Sequence, residues 1–409
     1  MNVEIRNVRP DEFEAFIEAI STGFIDRPDT ARVAAFVAPR WDPARMWGAW
    51  DGTRLCGTFR TWATELTVPG GARLPASAVT AVTVLPTHRR RGILTLLAAA
   101  EHAANRERGE LFGLLWASEY PIYGRFGYGP ATRSATWTLS PRATAFHGAP
   151  VSRVELILPG PEARDAMRDV FEAWRPRRAG EIRRRDYFWE SELGLLDAAW
   201  GENWKGFVVL HRDEAGAVDG FVRYQGEEKW VERQPRAVLK VNDLHAINDV
   251  AYAALWRYLA EVDLVSTIVA EGRSPSERLP WLLTNHRAAV PSEIGEALWV
   301  RIFDVAKALE ARTYERTGSL VLEVLDREAT GGRMRVALDA SPDGATCRPT
   351  DRSADLTLPV SALGAVYLGG TRLRDIVVGT GADEHRPGAL AEAEALFRTA
   401  DEPWCSTHF

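Results

Sequence analysis

The residues with the most chemical potential lie between Ala81 and Ala99, AVTVLPTHRRRGILTLLAA. Val82, Thr83 and Val84 read as the end of a strand, Arg89-Arg90-Arg91-Gly92 as a turn, and the Leu- and Ala-rich stretch beyond as a helix of about twelve residues. A helix N-terminus leaves about four backbone N–H groups without intrahelical partners and carries partial positive charge, so it suits phosphate. Three guanidinium groups add forked donors beside it, and Gly92 admits an anion close to the backbone because no Cβ intervenes. The stretch therefore reads as a diphosphate cradle, with a solvated basic face as the alternative. No GxxxxGK[ST] loop occurs, and no GxGxxG follows a first strand, so two other phosphate-binding designs are excluded.

A second group of candidates follows in EYPIYGRFGYGPA. Tyr123 lies in this glycine-rich loop, directly after the apolar run LFGLLWAS, and a phenol of pKa near 10 is matched to protonating a leaving group of comparable basicity, such as a thiolate. Tyr120 and Tyr128 are rivals for that role. Taken alone, Tyr123 reads better as an aromatic packed beneath the loop. Metal chemistry is disfavoured: Cys56, Cys347 and Cys405 are far apart, no CxxC or HxxxH spacing occurs, and His88, His245 and His408 sit in separate settings.

These groups need a scaffold, and 409 residues are enough for two or three domains. An apolar fraction of 46% supports real cores. Lys plus Arg is 50 and Asp plus Glu is 56, a net charge of −6 that excludes a strongly basic nucleic-acid-binding chain. No uncharged apolar run reaches eighteen residues, and the N-terminus is charged where a signal peptide would be apolar, so a cytoplasmic protein without a membrane span is expected. The first segment opens with a strand and a helix carrying Phe13, Phe16, Ile17 and Ile20. Strands with turns at Asp51-Gly52 and Pro69-Gly70-Gly71 come next, then the basic turn, its helix and a strand. From about Pro150 a similar order recurs: strand and helix, a hairpin around Gly216, and LKVNDLHAINDVAYAALWRYL as strand and helix. At the place of the arginines this second segment has Asp243, His245 and Asp249, which would repel an anion. From about Leu298 come further strands and short helices near 304–311, 360–369 and 388–400. The class is α+β.

The basic turn resembles the Arg/Gln-x-x-Gly-x-Gly/Ala turn of the GNAT acyltransferases, which holds the pyrophosphate of coenzyme A. Leu94 stands where that pattern usually has Gly or Ala. Together with IYGRFGYGPAT, the length, the three-part layout and the aromatic tail EPWCSTHF, it makes the whole chain resemble the Eis family, the enhanced-intracellular-survival acetyltransferases. The resemblance implies tandem GNAT domains followed by a sterol-carrier-protein-like α+β domain. Residues 1–148 would bind acetyl-CoA, 149–297 would form a GNAT-like unit without a cofactor, and 298–409 would send the C-terminus into the active site. It implies Tyr123 as general acid and the terminal carboxylate of Phe409 as general base. Val82, Thr83, Val84, Arg89, Arg90, Arg91, Gly92, Ile93, Leu94 and Thr95, with Ser118 and Glu119, would hold acetyl-CoA. Phe24, Asp26 and His408 would meet the acceptor, an aminoglycoside-like amine or a lysine side chain, in a homohexamer. A non-enzymatic alternative would make the acyltransferase unit a relic beside a lipid- or partner-binding domain.

Overall fold

The computed structural model describes residues 3–148, 153–197 and 200–409. The first segment supplies β1 (Val3–Asn7), β2 (Met46–Asp51), β3 (Arg54–Thr67), β4 (Arg73–Val84), β5 (Phe112–Trp116) and β6 (Gly129–Pro130). Its helices are α1 (Phe13–Gly23), α2 (Thr30–Val37) and α3 (Ile93–Glu107). The expected turns at Asp51-Gly52 and Pro69-Gly71 join β2 to β3 and β3 to β4 in antiparallel register. The periodic face of α1 buries Phe13, Phe16, Ile17 and Ile20.

The second segment supplies β7 (Arg133–Leu139), β8 (Val154–Ile157), β9 (Phe207–Arg212) and β10 (Val218–Glu227). A small hairpin, β11 (Trp230–Val231) and β12 (Gln234–Pro235), precedes β13 (Ala237–Ala246), β14 (Val265–Arg273) and β15 (Ala289–Glu296). Its helices are α4 (Pro161–Trp174), α5 (Asp186–Glu192) and α6 (Asp249–Glu261), and β16 (Leu298–Ile302) follows. The first sheet runs β1-β2-β3-β4-β5-β16-β6 and the second β15-β7-β14-β13-β10-β9-β8.

Two strands fall outside the sequence-based division. Residues 133–139 precede the junction expected at 148/149, yet β7 lies in the second sheet; the junction itself touches residues 149–152, outside the described residues. Leu298 was read as opening the third unit, yet β16 is an interior strand of the first sheet, between β5 and β6. Every residue of β16 is buried, and a strand covered on both faces has no polar face to show which sheet it joins.

The last unit contains α7 (Val305–Ala311), β17 (Gly318–Leu325), β18 (Arg333–Ser341), β19 (Gly344–Pro349), β20 (Leu356–Pro359), α8 (Val360–Val366), α9 (Leu373–Thr380), β21 (Asp383–Glu384) and α10 (Ala389–Phe397). Its sheet order is β19-β18-β17-β20-β21. One apolar core runs from the first sheet into this unit, joining Phe112, Leu298 and Val300 to Leu322, Val324, Leu363 and Tyr367. Contact is backbone-close where α8 crosses β16: a Cβ at Gly364 would run into the Val300 carbonyl. Buried Arg301 on β16 completes the junction, pairing with Asp326 and Glu328 at 3.0 Å each.

Gly364→Ala therefore overpacks this junction, and overpacking costs about 1–3 kcal/mol. We expect a lower urea midpoint at unchanged slope; a wild-type midpoint would show that the α8–β16 contact is slack.

Candidate active site

The first sheet is two half-sheets joined by a short seam. β4 pairs with β5 only where Ala76–Ala78 meet Phe112–Leu114. Beyond Ala78, β4 stays with β3 and β5 stays with β16, so a wedge opens between them. Ala81, at φ +53°, sits at a register shift against β3 and turns the lip of the wedge. Val82, Thr83 and Val84 form that lip, and the Thr83 hydroxyl points away from it, toward the Ala19 carbonyl on α1 at 3.4 Å. The wedge side of this backbone lacks a strand partner, which an extended amide-bearing ligand could supply.

At the end of β4, a 3-10 turn (Pro86–His88) leads through Arg89–Arg91 to Gly92, which caps α3 at φ +78° without any side-chain cap. The N–H groups of the first turn of α3 are thus open. Nothing lies within 4 Å of a Cβ built at Gly92. Arg89 and Arg90 are exposed, and neither makes an ion pair among the described residues. Leu94 is turned onto the core around Cys56, Phe59 and Leu97, so its bulk does not fill the helix mouth. Ser118 and Glu119 are exposed immediately after β5, on the opposite lip. These groups fit the diphosphate and amide backbone of an acyl carrier. The described residues contain no cluster of three His, Cys, Asp or Glu that could hold a metal.

The three tyrosines differ in environment. Tyr128 is fully buried and its hydroxyl is 3.1 Å from His102 Nε2, so it is engaged in packing. Tyr120 is 58% exposed, its ring edge-on to Trp299. Tyr123 is buried to 7% exposure in the cluster that contains Val79, Leu85 and Ile93, with Val82 and Val84 packed on it. Its hydroxyl makes no hydrogen bond among the described residues. Burial, with the Glu119 carboxylate adding to it, pushes the phenol up to about 12.

The chain end is held firmly. Trp404 donates from its backbone to the Ala179 carbonyl at 2.9 Å and from its indole to Gly272 at 2.8 Å. Glu181, fully buried, accepts from Ser406 N (2.8 Å), Ser406 Oγ (2.6 Å) and Thr407 Oγ1 (2.7 Å). Arg184 donates to Thr407 Oγ1 at 2.9 Å and is fixed by Asp243 at 2.5 Å, which also pairs with His245. Burial opposes the Asp243 charge, but Arg184 and His245 hold its carboxyl well below the usual range. Trp116, at the end of β5, donates to the Thr407 carbonyl at 3.2 Å, and its ring meets His408 at 4.7 Å. Burial lowers the His408 pKa. Phe409 is half-buried, its ring edge-on to Trp62 at 5.6 Å. Asp243 and His245, which the sequence suggested would repel an anion, thus serve to anchor the tail. Sequence reasoning missed Glu181 and Arg184, since their partner lies over two hundred residues away.

Beside Trp62 opens a cleft of about 520 Å³, walled by Phe36, Trp41, Arg60, Arg185, Tyr187 and Trp200, among others. Phe24 and Asp26 are not among its walls. They occupy the exposed loop after α1, and Gly23 of that helix packs tightly on Thr83. Arg60 stacks on Trp41 at 3.9 Å, and Arg185 stacks on Trp62 at 4.2 Å.

Comparison with known proteins agrees with this fold. Residues 4–131 and 180–302 each match the Acetyltransferase (GNAT) domain family, and residues 305–406 match the Sterol carrier protein domain family. An uncharacterized N-acetyltransferase of Streptomyces griseus is 40% identical over 420 residues, covering 100% of both chains. N-acetyltransferase Eis of Mycobacterium tuberculosis is 36% identical over 363 residues, 87% of this chain and 82% of that one. The crystal structure of Eis1 from Mycobacterium abscessus superposes with a TM-score of 0.86 at 34% identity, covering 99% of this chain and 100% of that one.

Loss of the Glu181 carboxylate should free the tail. We expect Glu181→Ala to expose residues 404–409 to carboxypeptidase, with release at least about tenfold faster than from wild type, given the cost of about 1–3 kcal/mol for unmaking buried hydrogen bonds. Equal release rates would show that the tail is held elsewhere.

Proposed function

The chain belongs to the Eis family of GNAT N-acetyltransferases, an acetyltransferase built from two GNAT domains and a sterol-carrier-protein-like domain, and from that premise we propose how its own residues carry out the transfer. The acetyl donor of GNAT enzymes is acetyl-CoA. In this proposal Arg89, Arg90 and Arg91, with the open N–H groups of Gly92, Ile93, Leu94 and Thr95, grip its diphosphate. Val82, Thr83 and Val84 pair with its pantetheine amides, and Ser118 and Glu119 line the opposite lip. The cofactor-binding unit is that expected of residues 1–148, without β7 and completed by β16. Residues 149–297 hold none, a reading supported by Trp404, whose indole bonds to Gly272 at the end of β14. Residues 298–409 deliver the chain end.

The acceptor amine attacks the thioester carbonyl: a C–N bond forms, the C–S bond breaks, and the ammonium proton must leave as the thiolate gains one. Tyr123 donates the proton to the thiolate. The Phe409 carboxylate takes the proton from the amine; an α-carboxyl, whose ordinary pKa is about 3.5, is a weak base, so it acts mainly by lowering the cost of deprotonation, directly or through water. The observation that carries this assignment is the Tyr123 hydroxyl itself, which makes no hydrogen bond among the described residues, on a ring in the cluster that Val82 and Val84 pack against, with a pKa raised so that it keeps its proton. The acceptors to assay first are those the resemblance implies, aminoglycoside-like amines and then lysine side chains, with Phe24, Asp26 and His408 as contacts. Assembly as a homohexamer belongs to the same proposal.

Tyr123→Phe should lower kcat by roughly a hundredfold or more at nearly unchanged acetyl-CoA affinity, because general acid catalysis contributes about 10² to 10⁴. Because the folded pKa is raised, the neutral donor form persists, and kcat should show no alkaline limb from this group below about pH 10. A thiol-release assay across pH reads both; wild-type turnover in the variant removes Tyr123 from the mechanism. A C-terminal tag, or deletion of Phe409, should abolish turnover while the unfolding midpoint holds, and an active tagged enzyme would exclude the terminal carboxylate.

A further inference from the structure

The turn that would grip the diphosphate has little backbone support of its own. Among the described residues, the N–H groups of Arg89, Arg90 and Gly92 donate no hydrogen bond within the protein. Arg90 is left-handed at φ +63°, a conformation costly for any residue with a Cβ, and Gly92 follows at φ +78°. The side chains of Arg89, Arg90 and Arg91 are exposed. Left to itself, such a segment samples many shapes, and a ligand would have to order it on binding. What fixes it lies one residue upstream.

From Pro86 to Gly92 only His88 is buried. Its Nε2 is 3.2 Å from Asp51 Oδ2, and its Nδ1 is 2.8 Å from the Thr87 hydroxyl. These partners set the tautomer: Nε2 carries the proton and donates to Asp51, and Nδ1 accepts from Thr87, so both ring nitrogens are met. The His88 N–H donates to the Leu85 carbonyl at 2.8 Å, and the Leu85 N–H donates to the Cys56 carbonyl on β3 at 2.9 Å. Asp51 closes β2 at the hairpin into β3, with Gly52 beside it at φ +61°. One imidazole thus straps the basic turn to the neighbouring hairpin. A carboxylate so near an anion cradle works against the ligand's charge, and what it offers instead is a fixed acceptor for His88.

We propose that His88 and Asp51 are positioning residues for the acyl donor: by pinning the turn they hold Arg90 in its left-handed shape, and the arginines at the mouth of α3, before the ligand arrives. This rests on the acetyl-CoA reading above and deepens it, since a cradle ordered in advance lowers the cost of binding. Neither side chain touches the reacting atoms, so their loss weakens donor binding and leaves the transfer step nearly intact.

Trypsin reads the turn directly, because it cleaves after arginine where exposed backbone is mobile. On the full-length protein without ligand, His88→Ala and Asp51→Ala should be nicked at residues 89–91 about tenfold faster than wild type. Asp51 is partly exposed, so its variant is the safer one for folding and should keep the wild-type urea midpoint. Calorimetry with CoA should show about tenfold weaker binding in each, and the double variant should lose about as much as either alone, because the pair acts as one unit. His88→Gln, whose amide can still donate to Asp51, should recover most of the affinity. In thiol-release assays the acetyl-CoA KM should rise in both single variants while kcat stays near wild type. Unchanged CoA affinity in both overturns the inference, as do additive losses in the double variant. A wild type that fails to bind CoA, with nicking still faster in the variants, would instead sink the acetyl-CoA reading and leave the strap standing.

Discussion

The structure turns on a seam of three residue pairs. Interior strands normally satisfy their backbone groups on both edges, and here β4 and β5 do so only from Ala76 to Ala78. Past that point two stable half-sheets part, each held by its own antiparallel neighbours, and the twist of β4 at Ala81 keeps them apart. The result is an edge of unpaired amides inside a sheet, next to the open mouth of α3. Such an edge is costly in an apolar interior, and an extended, amide-bearing ligand ending in an anion would satisfy both features together.

The second lip of the wedge is not built by the first segment alone. β16 comes from far along the chain, α8 of the last unit lies against it, and Arg301 ties it to Asp326 and Glu328. Trp116, at the tip of β5, also holds the tail through the Thr407 carbonyl. The three units therefore do not function as beads on a string. The tail is fixed by buried ionic groups, Glu181 and the Arg184–Asp243 pair, where apolar packing would give more stability per residue but less positional definition. Glu181 and Arg184 meet Ser406 and Thr407 at fixed atoms, so the tail has one register available to it.

What could be read from the sequence was whatever is local. Hairpin glycines, the period of α1, the basic turn and the loop around Tyr123 are each encoded within a few residues, and the fold follows them. Leu94 departs from the family pattern, yet it is accommodated because its side chain packs inward while its N–H remains at the helix mouth. Long-range features were hidden. Nothing in Leu298–Ile302 states which sheet it joins, because a strand buried on both faces carries no directional pattern, and the alternation along Arg133–Leu139 marks a strand without naming its partner. Asp243 and His245 looked like a lost anion site because their true partner, Arg184 with the tail behind it, lies in another part of the chain.

Arg60 shows why charge must be judged in place. By sequence it is one cation among polar and aromatic neighbours on β3, in a chain of net charge −6. In the fold it shares one side of β3 with Trp62, opposite Thr61, whose hydroxyl bonds to Glu101 on α3. Burial, with the Arg185 charge acting in the same sense, lowers its pKa to about 9. A fold optimised only for stability would replace such a residue by an apolar one of similar volume, as buried ionic groups often allow.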